Sequence, residues 1–159
     1  MNLIDSRAKR RTRRESGQAG GEILFFSAIL ITAMLLVIVN AWATINAKFM
    51  VTAAAREASR AYVESISETD ATANAESAAA SVYGSYRANT ARTKPIEITG
   101  EFGRCERITI SARYQMPAMT IPFFSISFGS RTVSSAHSEI VDPYRSGLEN
   151  EVGGDCLDF

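Results

Sequence analysis

Residues that commonly do chemistry are scarce in this chain. Its 159 residues include one histidine and two cysteines. Nucleophilic catalysis needs a nucleophile, a base and an orienting acid that converge, so His137 is expected to be a polar strand residue and no enzyme is predicted. Cys105 and Cys156 are too few to close a zinc site. The glycines near the N-terminus precede an apolar helix and form no phosphate-binding loop, so no cofactor is expected.

Charge is missing from one long stretch. No charged side chain occurs from Ile23 to Ala47. The hydrocarbon core of a bilayer is about 30 Å thick and needs about 20 apolar residues as helix. Residues 18–47 are therefore predicted to form a transmembrane helix. Proline and glycine are both absent from residues 22–64, so the helix is expected to continue beyond the membrane.

The charges that are present differ between the two sides of this span. The basic leader, residues 1–17, holds six Lys and Arg against two acidic residues, and the rest of the chain holds eleven against fifteen. Basic residues beside a first span favour the cytoplasmic side, which predicts a cytoplasmic N-terminus and an external C-terminus. Because topology explains the cluster, no nucleic-acid partner is predicted, although a nucleic-acid arm is an alternative. For the apolar run, the alternative to a retained membrane span is a signal peptide that is cut near Ala43 or Ala47.

The next part of the chain, residues 48–141, predicts one small α+β head. Residues 48–64 continue the long helix, and residues 71–92 repeat apolar side chains at spacings of three and four, as a second amphipathic helix does. Period-two alternation then runs through residues 95–141, which predicts an antiparallel sheet of three or four strands. Gly129-Ser130 is a tight-turn signal between the last two strands. The two helices are expected to cover the apolar face of the sheet.

Small residues share one face of the long helix just outside the span. Ala54 and Ala58 are four residues apart, and Ala61 follows three residues later. Residues at these spacings lie on the same side of a helix, and alanine lets another helix approach closely. The three alanines therefore predict a helix-packing face.

These features together carry a family resemblance. A basic leader that ends in glycine, a glutamate at the fifth position after it, an apolar helix and a small head resemble a type IV pilin precursor. More closely, Glu22-Ile23-Leu24-Phe25 and the segment Ala53-Ala54-Ala55-Arg56-Glu57-Ala58-Ser59-Arg60-Ala61 resemble the TadE-like proteins of the tight-adherence (Flp) pilus system. Their span starts with an E-F motif, and an A-A-R-E-A-x-R-A segment follows it.

The resemblance implies a minor pilin or pilus-assembly protein in the plasma membrane of a bacterium. A prepilin peptidase would cut after Gly17 and make Gln18 the new N-terminus, although Gly20 and Gly21 offer further cut sites. The Glu22 carboxylate would then pair with the freed amine of a neighbouring subunit, which fixes register more than it adds stability. The implied partners are that peptidase, other pilus subunits and membrane lipid, with no small-molecule substrate. Whether the protein enters the fibre or stays in the membrane is open.

Two further expectations concern the part outside the membrane. Cys105 and Cys156 are predicted to form a disulfide, because extracytoplasmic thiols oxidise. This bond would tie the acidic, loose tail of residues 142–159 to the sheet. In the alternative, Cys156 stays reduced or pairs with another subunit. The alternative function is a single-pass membrane-anchored or secreted binding domain unrelated to a pilus.

Overall fold

A 59-residue helix runs through most of the length of the molecule. In the computed structural model, residues 5–122, 124, 126–142 and 144 are described, with residues 5–20 described by their backbone alone. Helix α1 spans Asp5–Val63. The described residues contain one helix that is long and apolar enough to cross a membrane, within Gly21–Val63. The predicted continuation of the span into the head as one helix is confirmed.

A second helix, α2, spans Glu68–Ser85 and begins and ends earlier than the predicted residues 71–92. It begins early because the Ser67 side chain caps it by accepting a hydrogen bond from the Asp70 backbone N–H, at 3.2 Å. It ends early in a Schellman motif, in which the N–H groups of Arg87 and Ala88 donate to the carbonyls of Gly84 and Tyr83, both at 2.9 Å. Arg87 takes the left-handed position of this motif with a φ of 53°.

Five strands follow a single 3-10 turn at Thr90–Arg92. They are β1 Thr93–Thr99, β2 Arg107–Met116, β3 Met119–Ile121, β4 Ile126–Phe128 and β5 Arg131–Ile140. Strands β1, β2 and β5 form an antiparallel sheet in the order β1-β2-β5, and β3 and β4 form a separate two-stranded antiparallel sheet. The predicted α+β class, with a long N-terminal helix, a second helix and an antiparallel sheet, is confirmed.

The predicted tight hairpin at Gly129-Ser130 is wrong, because the strands on its two sides do not pair with each other. Strand β5 pairs with β2 along its whole length, from Met116 opposite Arg131 to Arg107 opposite Ile140, and the short β4 pairs with β3. A ten-residue ladder of hydrogen bonds with the central strand β2 stabilises β5 more than a three-residue ladder with β4 would. Gly129 instead turns the chain from β4 into β5 with a φ of 63°.

The core lies between the outer half of α1, α2 and one face of the three-stranded sheet. Apolar side chains from these three elements form one buried cluster; its main members are Val51, Ala54, Ala55, Ala58, Tyr62, Ala71, Ala75, Ala79, Tyr83, Ile108, Ile110 and Ala112. The alternation predicted along β2 is confirmed, since Ile108, Ile110 and Ala112 are fully buried. The predicted cover of the sheet by both helices is confirmed as well. Of the predicted tail, residues 143 and 145–159 lie outside the described residues.

Candidate functional site

The inner half of α1 is an apolar surface that the rest of the described chain leaves bare. From Ile23 to Val39 its large side chains are exposed except for the partly buried Leu36, with Leu24 and Leu30 at 73% and 71%. These seventeen residues extend about 26 Å as helix, within the range that crosses a bilayer. This surface is called the apolar half of α1 below.

The polar groups within the apolar half are satisfied by the helix itself. Its two hydroxyl side chains, Ser27 and Thr32, donate to the carbonyls of Leu24 and Ala28 at 2.9 and 2.8 Å. In lipid, each polar group must find its partner inside the protein. The apolar half therefore meets the chemical requirement of a membrane span along its whole length.

Glu22 stands at the inner end of this surface. Its side chain is exposed, and among the residues whose side chains are described, none forms an ion pair or hydrogen bond with its carboxylate. Gly21 beside it has open space where a side chain would lie. The predicted cut site at Gly17 and Gln18 lies within α1, where only the backbone is described. Processing and register at these residues stay predictions.

The outer half of α1 carries a row of polar residues that attaches the head. The row, called the polar seam below, consists of Asn40, Thr44, Lys48, Thr52 and Ser59, each of which contacts β3 or β5. The first four are spaced four residues apart, so they follow one side of the helix. The residue numbers of the partners on β5 increase together with those of the seam residues, so β5 runs in the same direction as α1.

Asn40 forms the innermost contact of the polar seam. Its side-chain amide donates to the Thr120 carbonyl at 3.0 Å, and its amide oxygen accepts from the Thr120 N–H at 2.7 Å. The same amide nitrogen donates to the Leu36 carbonyl at 2.8 Å. Asn40 therefore binds the middle of β3 as another strand would, and it does so directly after the last residue of the apolar half.

The remaining seam contacts fix β5. The Arg131 guanidinium donates to the Thr44 hydroxyl at 2.7 Å, and Lys48 donates to the Ser134 carbonyl. Farther out, Thr52 donates to the Ser135 hydroxyl at 3.1 Å. The Ser59 hydroxyl is shared between the Ala55 carbonyl of its own helix, at 2.9 Å, and the His137 carbonyl, at 3.2 Å. Sequence reasoning missed the seam, although polar residues at a spacing of four on an otherwise apolar helix were a visible signal.

The three alanines of the predicted packing face lie in or beside the core of the head. Ala54 and Ala58 are fully buried, and Ala61 is partly buried. The cluster that holds Ala54 and Ala58 also contains Ala71 and Ala75 of α2. The helix that approaches this face closely is therefore the chain's own α2.

The strand around the single histidine makes structural contacts. His137 pairs with Glu139 through Nε2 and Oε1 at 3.3 Å. The hydroxyl of Ser138 bonds that of Thr109 at 2.8 Å, and the Ser135 hydroxyl bonds the seam. These serines are thus engaged away from the imidazole. Within the described residues, no group of three or more His, Cys, Asp and Glu side chains is placed to hold a metal ion.

Cys105 lies at the corner before β2, at the end of the sheet far from the apolar half. Its side chain is buried, its φ is 65°, and its N–H donates to the Val141 carbonyl at 3.0 Å. Cys156 lies outside the described residues. The Cys105–Cys156 disulfide therefore stays a prediction, and so does its intersubunit alternative.

The fold and this surface define a class: a small α+β head whose core is built on the outer half of a helix long and apolar enough to be a single membrane span. Comparison with protein-family models, with curated proteins and with solved structures found no match.

Proposed function

We propose that this protein is a TadE-like minor pilin or pilus-assembly protein of a tight-adherence pilus system. The observation that carries the proposal is the division of α1 into two halves. The apolar half is bare, and the outer half forms part of the core of the head. A pilin-like subunit needs such a helix, because the same apolar surface must first sit in lipid and then slide against neighbouring helices. The resemblance of residues 22–25 and 53–61 supports the same proposal.

The mechanism proposed for assembly centres on the inner end of α1. The basic leader holds the N-terminus in the cytoplasm, and a prepilin peptidase removes it after Gly17. The freed amine of Gln18 then meets the Glu22 carboxylate of a neighbouring subunit. A carboxylate at the edge of the hydrocarbon region is costly when it is alone, so a partner amine favours one register of helix against helix.

Processing is tested by the intact mass of the protein isolated from cells that carry the pilus genes. We expect loss of residues 1–17, whereas cuts after Gly20 or Gly21 would leave Gly21 or Glu22 at the N-terminus. Gly17→Trp should keep the leader, because bulk at this position blocks a narrow peptidase pocket, and the matched Gly17→Ala should be processed. An intact wild-type chain, or a cut near Ala43 or Ala47, favours the alternative of an anchored or secreted binding domain.

Assembly is tested at Glu22. Glu22→Gln keeps the shape of the side chain and removes its charge, so we expect normal membrane insertion and loss of co-purification with the other pilus subunits. Ser27→Ala, in the same half of the helix, is the matched control and should assemble normally. Normal pilus formation by the Glu22→Gln variant would show that the carboxylate has no role in register.

A further inference from the structure

The small sheet formed by β3 and β4 lies in an unusual stretch of the chain. No charged residue occurs between Arg113 and Arg131, and the two strands of three residues pair only with each other. A two-stranded sheet of this size is at best marginally stable alone in water. Something besides its own hydrogen bonds must therefore support it. The segment Met119–Phe128 is called the hairpin below.

The hairpin turns apolar side chains outward. Phe124 is 73% exposed and Phe128 is 53% exposed, and Met119 and Ile126 are also exposed. Alternate residues of β2, by contrast, point into the core. A contiguous group of exposed large apolar side chains marks a surface that binds something apolar.

The level of the hairpin along α1 is fixed by Asn40. Met116, at the end of β2, pairs with Arg131, which bonds Thr44. Four residues farther inward on α1, Asn40 holds Thr120 of β3. The chain thus moves toward the apolar half as it passes from β2 into β3. Asn40 directly follows Val39, the last residue of the apolar half, so β3 of the hairpin is held beside the outer end of that surface.

Basic and aromatic side chains lie at or just beyond this level. At 1.5 Å per residue, Arg131 bonds Thr44 about 6 Å farther out along α1 than Asn40, and Lys48 of α1 itself lies about 12 Å farther out than Asn40. A groove between α1, the end of α2 and β3 is lined by Arg87 and Arg92, and no described lining residue carries a carboxylate. Trp42 is 71% exposed. Cationic side chains meet lipid phosphates, and tryptophan favours the membrane interface.

We propose that the hairpin is a second membrane contact, inserted into the outer interface of the bilayer beside α1. The inference rests on α1 being a membrane span and does not require a pilus. Lipid is the occupant because Asn40 holds β3 of the hairpin directly beside the end of the apolar half, and the exposed apolar surface of the hairpin carries no charge. Two points of contact, the span and the hairpin, hold the head at one orientation on the membrane.

The test uses tryptophan fluorescence of the full chain in phosphatidylcholine vesicles. Trp42 is the only tryptophan, so Trp42→Phe gives a tryptophan-free variant. Single tryptophans are then introduced into this variant at chosen positions. We expect Phe124→Trp to emit at shorter wavelength, to lose fluorescence in vesicles brominated near the carbonyl end of the lipid chains, and to resist aqueous acrylamide. Phe128→Trp should behave alike and replaces Phe124→Trp if circular dichroism shows that the first variant is misfolded.

Two matched variants in the same background provide reference positions, one expected in lipid and one expected in water. Leu30→Trp, in the apolar half, should be quenched most by lipid brominated deep in the chains. Tyr144→Trp, which replaces a residue 94% exposed beyond the far end of β5, should be quenched by acrylamide alone. Acrylamide quenching at position 124 equal to that at position 144 would overturn the proposal. Protection at position 124 from both quenchers would also overturn it, and would indicate a covering protein such as a second copy.

The Leu30→Trp variant separates this inference from the membrane span on which it rests. Lipid quenching at position 30 without lipid quenching at position 124 or 128 would leave the span in place and reject the hairpin contact. An absence of lipid quenching at position 30 would reject both.

Discussion

The two halves of α1 are both apolar, but they are built from side chains of different size. In the inner half, exposed Ile, Leu, Phe, Val and Met side chains follow one another, with Leu24 73% exposed. In the outer half, alanine dominates the buried side, and Ala54, Ala55 and Ala58 are fully buried. One helix thus presents two surfaces, one bare and one packed against the head.

The difference in side-chain size follows from what packs on each half. A second helix and a sheet can approach α1 closely only where its side chains are small, because protein interiors are densely packed. Lipid tails are mobile and fit around large side chains, so size is unconstrained where they are the neighbour. Alanine on one half and large apolar residues on the other are therefore the side chains expected of a protein-packed surface and of a lipid-facing surface, respectively.

The largest effect is expected from deleting one aromatic ring in each half. Tyr62 is 2% exposed and packs edge-to-face on Phe102, with ring centroids 5.5 Å apart. Tyr62→Ala should lower the free energy of unfolding of the head by about 3–5 kcal/mol, since it leaves a cavity. Phe26→Ala, in the apolar half at a residue 70% exposed, is the matched control and should leave it nearly unchanged. Urea unfolding in micelles, followed by near-ultraviolet circular dichroism, measures both. Equal losses would remove the distinction between the halves.

Adding volume should also separate the two halves. Ala58 is fully buried, so Ala58→Leu should overpack the core and cost about 1–3 kcal/mol of unfolding free energy. Ala33 is exposed in the apolar half, and Ala33→Leu should be neutral for the head. Thermal unfolding of the two variants in the same micelles compares them. A neutral Ala58→Leu would mean that α2 does not pack on this face.

A smaller effect is expected at the boundary between the halves. Asn40→Ala removes both hydrogen bonds to Thr120, so the free energy of local opening of β3 should fall by about 1–2 kcal/mol. Amide hydrogen exchange at Thr120 should speed up accordingly. Exchange at Ile110, in the middle of the main sheet, is the internal reference and should not change. Unaltered exchange at Thr120 would show that Asn40 does not hold the hairpin.

The smallest effect is a pH dependence that arises in the core formed by the outer half of α1 and by α2. Burial, aided by the charge of Glu68, raises the pKa of Tyr62, and burial raises the pKa of Tyr83. The folded state then keeps its phenol protons above about pH 10, where the unfolded tyrosines lose theirs. Stability is therefore full below that pH and is lost as the pH rises from there toward the folded-state pKa values.

Urea midpoints between about pH 9 and about pH 11 measure this loss. Tyr62→Phe should flatten the dependence, because it removes one of the groups with a raised pKa. Tyr144→Phe, at a residue 94% exposed, should leave it as in the wild type. A slope that does not respond to Tyr62→Phe would assign the dependence to other groups.

The elements with strong periodicity could be predicted from the sequence. Alternation of Ile108, Ile110 and Ala112 gave β2 its buried face, and the absence of proline and glycine gave α1 its continuity. These signals are long, and each repeats many times. The end of α2 was missed because Arg87 occupies a left-handed position that favours glycine.

The pairing of the short strands and the polar seam could not be predicted in the same way. Strands β3 and β4 have three residues each, too few for their alternation to specify a partner strand, and their pairing depends on the pairing of β5 with β2. Asn40 and Thr44 are polar residues in an apolar helix whose partners lie far away in sequence. Their spacing of four marks them as one row on the helix, but their partners follow from tertiary contacts that no local pattern specifies.

The division of α1 is tested most directly by residue-resolved NMR of the full chain in lipid nanodiscs. A lipid-soluble nitroxide and a water-soluble gadolinium chelate each broaden the amide signals that they reach. We expect the nitroxide to broaden residues 23–39, and neither agent to broaden Val51, Ala54 and Ala58. Broadening of residues 23–39 by the gadolinium chelate, or of Ala54 and Ala58 by the nitroxide, would contradict the assignment of one half to lipid and the other to the head.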